Sequence, residues 1–367
     1  MNNFYIKKIA VVGTNGLPGR YGGWDQLLEN IVLYFSDKYE ITIYASKYHY
    51  VTHPETYKGA RLVYLPLKAN GFQSILYDVL SVIHAAINRT DVVLVLGTSG
   101  CIAFPLFRLM GIKMVLNPDG AEWKRGKWNF WAKAFLKLSE QLGVRWANHV
   151  VADSTIIQQS LLEDYGVTSY MIAYGGDHVR RVTLRAETAQ KYAIKNRDYC
   201  FKVCRIEPEN NLDMILASFA NSGRRLLIVG NWNFSEYGVN LRRKYAEFTN
   251  ISMLDPIYNQ FELNELRSNC CLYIHGHSVG GTNPSLVEAM CLGLCVVAFD
   301  VNYNRSTTHD SAVYFSTSDE LSAVVDSIYH DELRKSVIGD RLMAFGLEHY
   351  TWGRIIQQYA EIFENIN

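Results

Sequence analysis

The chain has no net charge: thirty-six lysines and arginines offset thirty-six aspartates and glutamates. With no overall field to attract a polyanion, nucleic acid is not an expected partner, and any basic surface has to be local. There is no CxxC pair. The seven cysteines (Cys101, Cys200, Cys204, Cys270, Cys271, Cys291, Cys295) are odd in number and mostly sit in apolar runs, which reads as reduced core thiols inside a cell. Nowhere do about 18 apolar residues follow one another, so no segment reads as a bilayer-spanning helix. The start, Met1 to Lys8, is polar and lacks the apolar stretch of a signal peptide. Repeats and low-complexity tracts are missing. So is any Asp-x-Asp, which speaks against a metal held by paired carboxylates. What remains is a 367-residue chain, 49% apolar and 20% charged, which fits a globular protein of two ordinary domains.

Short β-branched runs alternate with longer amphipathic stretches throughout. The first half offers strands at Lys8–Gly13, Glu40–Ala45, Arg61–Leu65, Asp91–Gly97, Lys113–Pro118, His149–Asp153 and Ser169–Tyr174, with helical patterns at Trp24–Phe35, Ile75–Asn88 and Lys127–Trp146. The second half offers Phe201–Ile206, Leu226–Val229, Ile251–Leu254, Cys271–His275, Val296–Phe299 and Ala312–Phe315. Near-continuous apolar strands separated by helices predict parallel, doubly wound sheets. The glycine punctuation Tyr174-Gly175-Gly176-Asp177 reads as a hinge, so an α/β domain is expected over residues 1–174, a second over 175–348, and a terminal helix over 349–367. Ligands of such sheets bind at the carboxyl ends of the strands, so the chemistry belongs on loops after strands.

Three loops stand out. Gly13 to Asp25 carries Gly13, Gly16, Gly19, Gly22 and Gly23 ahead of a helix, an arrangement that lets backbone N–H groups approach a phosphate; a plain glycine-rich turn is the lesser alternative. Its spacing also suits a dinucleotide loop, but Pro18 and the Gly22-Gly23 pair lengthen it, and no acidic residue closes the second strand. Arg205 ends a strand, where its planar fork suits a diphosphate or forms a surface salt bridge. The run from His275 to Met290 then places Asn283 as helix cap and Pro284 at the first turn, leaving the N–H groups of Ser285, Leu286 and Val287 as an expected anion site. Glu288, among apolar neighbours, needs a hydroxyl or N–H partner, from a sugar, a ribose or nearby backbone. His275 and His277 point only weakly to zinc.

Together these residues resemble the retaining GT-B glycosyltransferases of family 4. Arg205 fits the family's arginine and Glu288 the second glutamate of its E-x7-E motif, while Thr351–Ile366 with Trp352 is similar to its C-terminal crossover helix. The first half resembles the rhamnosyltransferase-like branch, whose domain was formerly of unknown function (DUF1972). It carries Gly13-Thr14-x-Gly16-x-Pro18-x-x-Tyr21-Gly22-Gly23 and Asp119-Gly120-x-Glu122-Trp123-Lys124-Arg125-x-Lys127-Trp128. The second half adds Gly280 to Met290 and Asn304-Arg305. Two positions depart from the family: Gly280 stands where the first glutamate belongs and Asn210 where the lysine belongs, so Gly281, Thr282 and Asn283 are candidates to read the sugar.

The resemblance implies two Rossmann-like domains facing a central cleft, with an acceptor domain first and a nucleotide-sugar domain second. It implies metal-independent transfer with retention of configuration, no cofactor, and a donor such as dTDP-rhamnose or a UDP-sugar. The donor residues would be Gly22, Gly23, Arg205, Asn210, Gly281, Thr282, Asn283, Ser285, Leu286 and Glu288. Asp119, Arg205 and Glu288 would be catalytic, and Tyr21, Asp119, Glu122, Trp123 and Arg125 would meet the acceptor. Asp119 also reads as an Asp-Gly turn with a self-capping side chain. The acceptor implied is a polyprenyl-diphosphate-linked sugar of polysaccharide assembly, reached at the cytoplasmic face of the inner membrane. Aromatics interleaved with cations from Trp123 to Lys137 suit that surface, or equally a core helix with a basic outer face. An NAD-dependent oxidoreductase and a nucleotide-sugar epimerase are the rival classes.

Overall fold

A computed structural model of the chain describes residues 6–19, 22–120, 122–124, 129–220 and 222–366. The chain forms two compact units: one runs to Ala173 and resumes at Gly353, the other is Tyr174–Trp352.

The first unit is built on β1 (Lys8–Val12), β2 (Glu40–Ser46), β3 (Thr56–Tyr57), β4 (Ala60–Leu65), β5 (Val92–Leu96), β6 (Met114–Asn117), β7 (His149–Ala152) and β8 (Tyr170–Met171). They line up as β3-β4-β2-β1-β5-β6-β7-β8, all parallel to their neighbours except the β3–β4 pair. The central strands β1 and β5 are apolar at nearly every position and buried on both faces, as a parallel sheet covered by helices requires. The short β3 lies outside every strand expected from the sequence; two residues carry too little period to be read. The helix Trp352–Asn365 belongs to this unit from Gly353 onward. Its buried residues Ile355, Ile356, Tyr359, Ile362 and Phe363 recur at helical spacing. Phe363 packs edge-on against Phe35 and Tyr39, and Tyr39 donates to Glu364 at 2.6 Å.

The second unit holds β9 (Cys200–Val203), β10 (Leu226–Val229), β11 (Ile251–Leu254), β12 (Leu272–His275), β13 (Val296–Phe299) and β14 (Val313–Phe315). Their order is β11-β10-β9-β12-β13-β14, parallel throughout. One face is packed by Leu212, Ile215, Leu216 and Phe219 of one helix and by Leu321, Val325 and Ile328 of another. Strand order reverses between β9 and β12, the topological switch point at which open α/β sheets bind their ligands.

Candidate functional site

The loops that flank this switch point are the two singled out from the sequence. Beyond β9, Cys204 leads to Arg205, whose side chain is about half exposed (48%) and lies 3.7 Å from Glu207. A solvent-facing pair of that length contributes little, so the guanidinium remains available. Beyond β12, the segment from Gly276 to Asn283 leads into the helix Pro284–Cys291.

The two loops are laced together. Asn211 Nδ2 donates to the Gly276 carbonyl at 2.9 Å, and the Ser278 N–H and Oγ both donate to the Glu209 carbonyl. A Cβ on Gly276 would come within 2.4 Å of the Asn210 carbonyl oxygen, so only glycine fits there. Asn304, buried at 3% exposure, donates from one amide to the carbonyls of His277 and Phe299, each at 2.8 Å. Arg305 grips Asp300 with two bonds, at 2.6 and 2.8 Å. Asn210 is buried as well, and its amide donates to the Arg205 carbonyl at 2.9 Å. It braces the arginine's backbone. His275 is buried and burial pushes its imidazole far below its usual range, so it is neutral.

One expectation is corrected here. The N–H groups of Ser285, Leu286 and Val287 are not an open anion cradle. Asn283 Oδ1 accepts the Ser285 N–H at 3.0 Å and the Ser285 hydroxyl at 2.8 Å. The Asn283 carbonyl accepts those of Leu286 and Val287 at 3.0 and 3.2 Å. An asparagine cap satisfies the first orphan donors itself, which is why it stabilises a helix start. The open backbone of the loop therefore lies ahead of the cap, around Gly280 (φ 105°) and Gly281, with Thr282 buried beside them.

Glu288 is buried at 4% exposure and its two oxygens are both engaged. Arg267 Nη2 lies 2.6 Å from Oε2, and His178 Nε2 lies 3.1 Å from Oε1. Arg267, on the helix Gln260–Ser268, is itself buried. Neither partner carried a sequence signal: an arginine on an amphipathic helix reads as a surface residue, and His178 sits two places past the hinge glycines.

In the first unit, Gly22 is the helix cap with φ 119°, where a Cβ would meet nothing within 4 Å among the described residues, and Gly23 begins the helix Gly23–Phe35. Gly13 and Gly16 serve packing: a Cβ on them would meet Leu96 O at 2.0 Å and Ala45 Cβ at 2.4 Å. Asp119 follows β6 with φ 64°, and its N–H donates to Asn117 Oδ1 at 3.2 Å. Aspartate tolerates this left-handed conformation better than most residues. Glu122 and Trp123 lie on the short turn Glu122–Lys124. The Trp123 indole donates to Glu140 at 3.3 Å and lies under Lys137, whose Nζ is 4.7 Å from the ring centre. Tyr21 and Arg125 lie outside the described residues.

Comparison with known proteins fits these two units. Residues 6–177 match the family described as domain of unknown function (DUF1972), and residues 185–340 match glycosyl transferases group 1. An uncharacterized glycosyltransferase of Methanocaldococcus jannaschii is 23% identical over 244 residues, 60% of this chain and 59% of that protein. The chain thus spans less than two thirds of that relative's length. Among solved structures, sucrose-phosphate synthase from Thermosynechococcus elongatus superposes with a TM-score of 0.82 at 12% identity, covering 98% of each chain. Anabaena HepE in complex with UDP-glucose superposes with a TM-score of 0.77 at 15% identity, covering 98% of this chain and all (100%) of that one. The chain thus has the GT-B fold, with a match to the DUF1972 family over its first part and to glycosyl transferases group 1 over its second.

Proposed function

We propose that the protein transfers a sugar from a nucleoside diphosphate to a lipid-linked saccharide, without a metal and with retention of configuration. The donor is read as dTDP-rhamnose; a UDP-sugar is the second reading, favoured by the HepE complex with UDP-glucose. The observation that carries the proposal is the pairing, at the switch point of the second sheet, of an available Arg205 with an open glycine loop and a buried carboxylate at Glu288.

In this reading the diphosphate meets Arg205 and the backbone around Gly280 to Thr282, where charge-assisted bonds stabilise the leaving group as it forms. Glu288 accepts hydroxyls of the donor. The acceptor attacks the face from which the diphosphate departs, and a phosphate oxygen takes its proton, so no protein nucleophile is required. Asp119, Glu122 and Trp123 of the first unit are read as orienting the acceptor, and Gly22 and Gly23 as a second backbone contact for the donor. The membrane-facing element is read as the helix Phe130–Trp146, on the cytoplasmic side.

Arg205→Ala is the test, with binding of UDP and dTDP measured by calorimetry. Losing a charge-assisted bond should weaken nucleoside diphosphate about tenfold or more while leaving the melting temperature near the parent's. A variant that binds both as tightly as the parent contradicts the diphosphate site.

A further inference from the structure

Glu288 sits where two stretches of chain meet within the second unit. One is the start of that unit, from Tyr174 to His178, and the other is its end, at Tyr350 to Trp352. The Gly176 N–H donates to the Tyr350 carbonyl at 2.7 Å, and the Trp352 N–H to Asp177 Oδ1 at 2.8 Å. Both hinge glycines are needed for this closeness. A Cβ on Gly175 would lie 2.6 Å from the Trp352 ring, and one on Gly176 would lie 2.6 Å from the Val287 backbone, next to Glu288.

Trp352, buried at 1% exposure, donates its indole N–H to His178 Nδ1 at 3.1 Å. An indole nitrogen is a donor only. Nδ1 must therefore be the acceptor, which leaves the ring proton on Nε2, and Nε2 lies 3.1 Å from Glu288 Oε1. The hydrogen bonds fix the tautomer by this chain of donors. Arg267 holds the other oxygen. The carboxylate is thus gripped at both oxygens.

We propose that His178 is a positioning residue for Glu288: locked in one tautomer by Trp352, it aims the carboxylate at the hydroxyls of the bound nucleotide sugar. The inference rests on the reading of Glu288 as a ligand-binding group and adds to it the device that orients it. Orientation matters because a group held in place ahead of binding spends no binding energy on its own ordering.

Calorimetric titration of the full chain with UDP and with dTDP tests it on the parent, Glu288→Gln, His178→Asn and His178→Gln. The asparagine amide ends near the position of Nδ1 and cannot reach Glu288; the glutamine amide ends near Nε2 and restores the donor. His178→Asn should weaken binding about tenfold, the loss of one hydrogen bond to a charged group. His178→Gln should recover most of that loss, a rescue that mere filling of space would not give. If the asparagine variant melts well below the parent, His178→Phe, which fills the ring space with no donor, replaces it. Binding by His178→Asn or His178→Phe equal to the parent's overturns the positioning role, as does a glutamine variant that binds no better than they do. If Glu288→Gln binds like the parent, or the parent binds neither nucleotide, the reading of Glu288 itself fails and the inference with it. If Glu288→Gln is weakened and the histidine variants are not, the positioning role alone is refuted.

Discussion

A carboxylate at 4% exposure costs several kcal/mol to bury unless it is paired, and Glu288 is paired twice, with Arg267 and His178. Half of this was legible. Glu288 stood out because it interrupts an apolar helix, and the sequence reading asked for a partner without being able to say which. Arg267 and His178 lie 21 and 110 positions away, and only the packing of the sheet brings them in. Asp78 was not legible at all. It lies on the helix Gln73–Ile87, 3% exposed, accepting the Gly100 N–H at 3.1 Å, and burial raises its carboxyl to about 8. At neutral pH it is therefore protonated in the folded chain and ionised in the unfolded one. The folded state binds the extra proton, so stability falls as pH rises from the ordinary carboxylate range towards about 8, and is not affected further beyond it. Asp78→Asn keeps the shape and removes the titration. Its melting temperature relative to the parent's should climb steadily between pH 5 and 8; a difference that stays constant across that range contradicts the assignment.

At the scale of elements the strands were read well, because fully buried parallel strands are continuous apolar runs and nothing else in the chain looks like them. Loops were read less well. The five glycines from Gly13 to Gly23 suggested a phosphate cradle, but Gly13 and Gly16 are required by contact with neighbouring strands, a packing demand that leaves the same mark in a sequence. The cap at Asn283 was recognised, yet its consequence was drawn the wrong way: a good cap consumes the donors it was expected to leave open. The helix Phe130–Trp146 shows a third case. Asn129 caps it, its Oδ1 accepting the Ala132 N–H at 2.9 Å, and Phe130 and Trp131 stand 75% and 79% exposed at its start. Two exposed aromatics beside Lys133 and Lys137 suit an anionic lipid surface, where each cation contributes about 1 kcal/mol. Among the described residues no helix is long and apolar enough to cross a membrane. The full chain should therefore sediment with anionic vesicles at low salt and be released at high salt, and replacing Phe130 and Trp131 with Ser should abolish sedimentation. Equal pelleting of parent and variant would reduce the pair to ordinary exposed side chains.

At the scale of the whole molecule, each unit repeats one plan: a sheet parallel at its centre whose order reverses near its middle, with unusual residues on the loops beyond that reversal. The plan was visible in the alternation of strands and helices. The donor and acceptor were implied only by the family resemblance, because the partners of a site's few polar side chains are set by packing. The central claim is sugar transfer from a nucleoside diphosphate without a metal, and transfer itself tests it most directly. The chain, in excess EDTA, is supplied with a polyprenyl-diphosphate-linked sugar and with radiolabelled dTDP-rhamnose or a radiolabelled UDP-sugar in turn. Label should pass to the lipid phase from at least one donor, at a rate the chelator does not change, and Glu288→Gln should lose most of it. Label that stays with the nucleotide in every case, or moves only when magnesium or manganese is returned, would contradict the account.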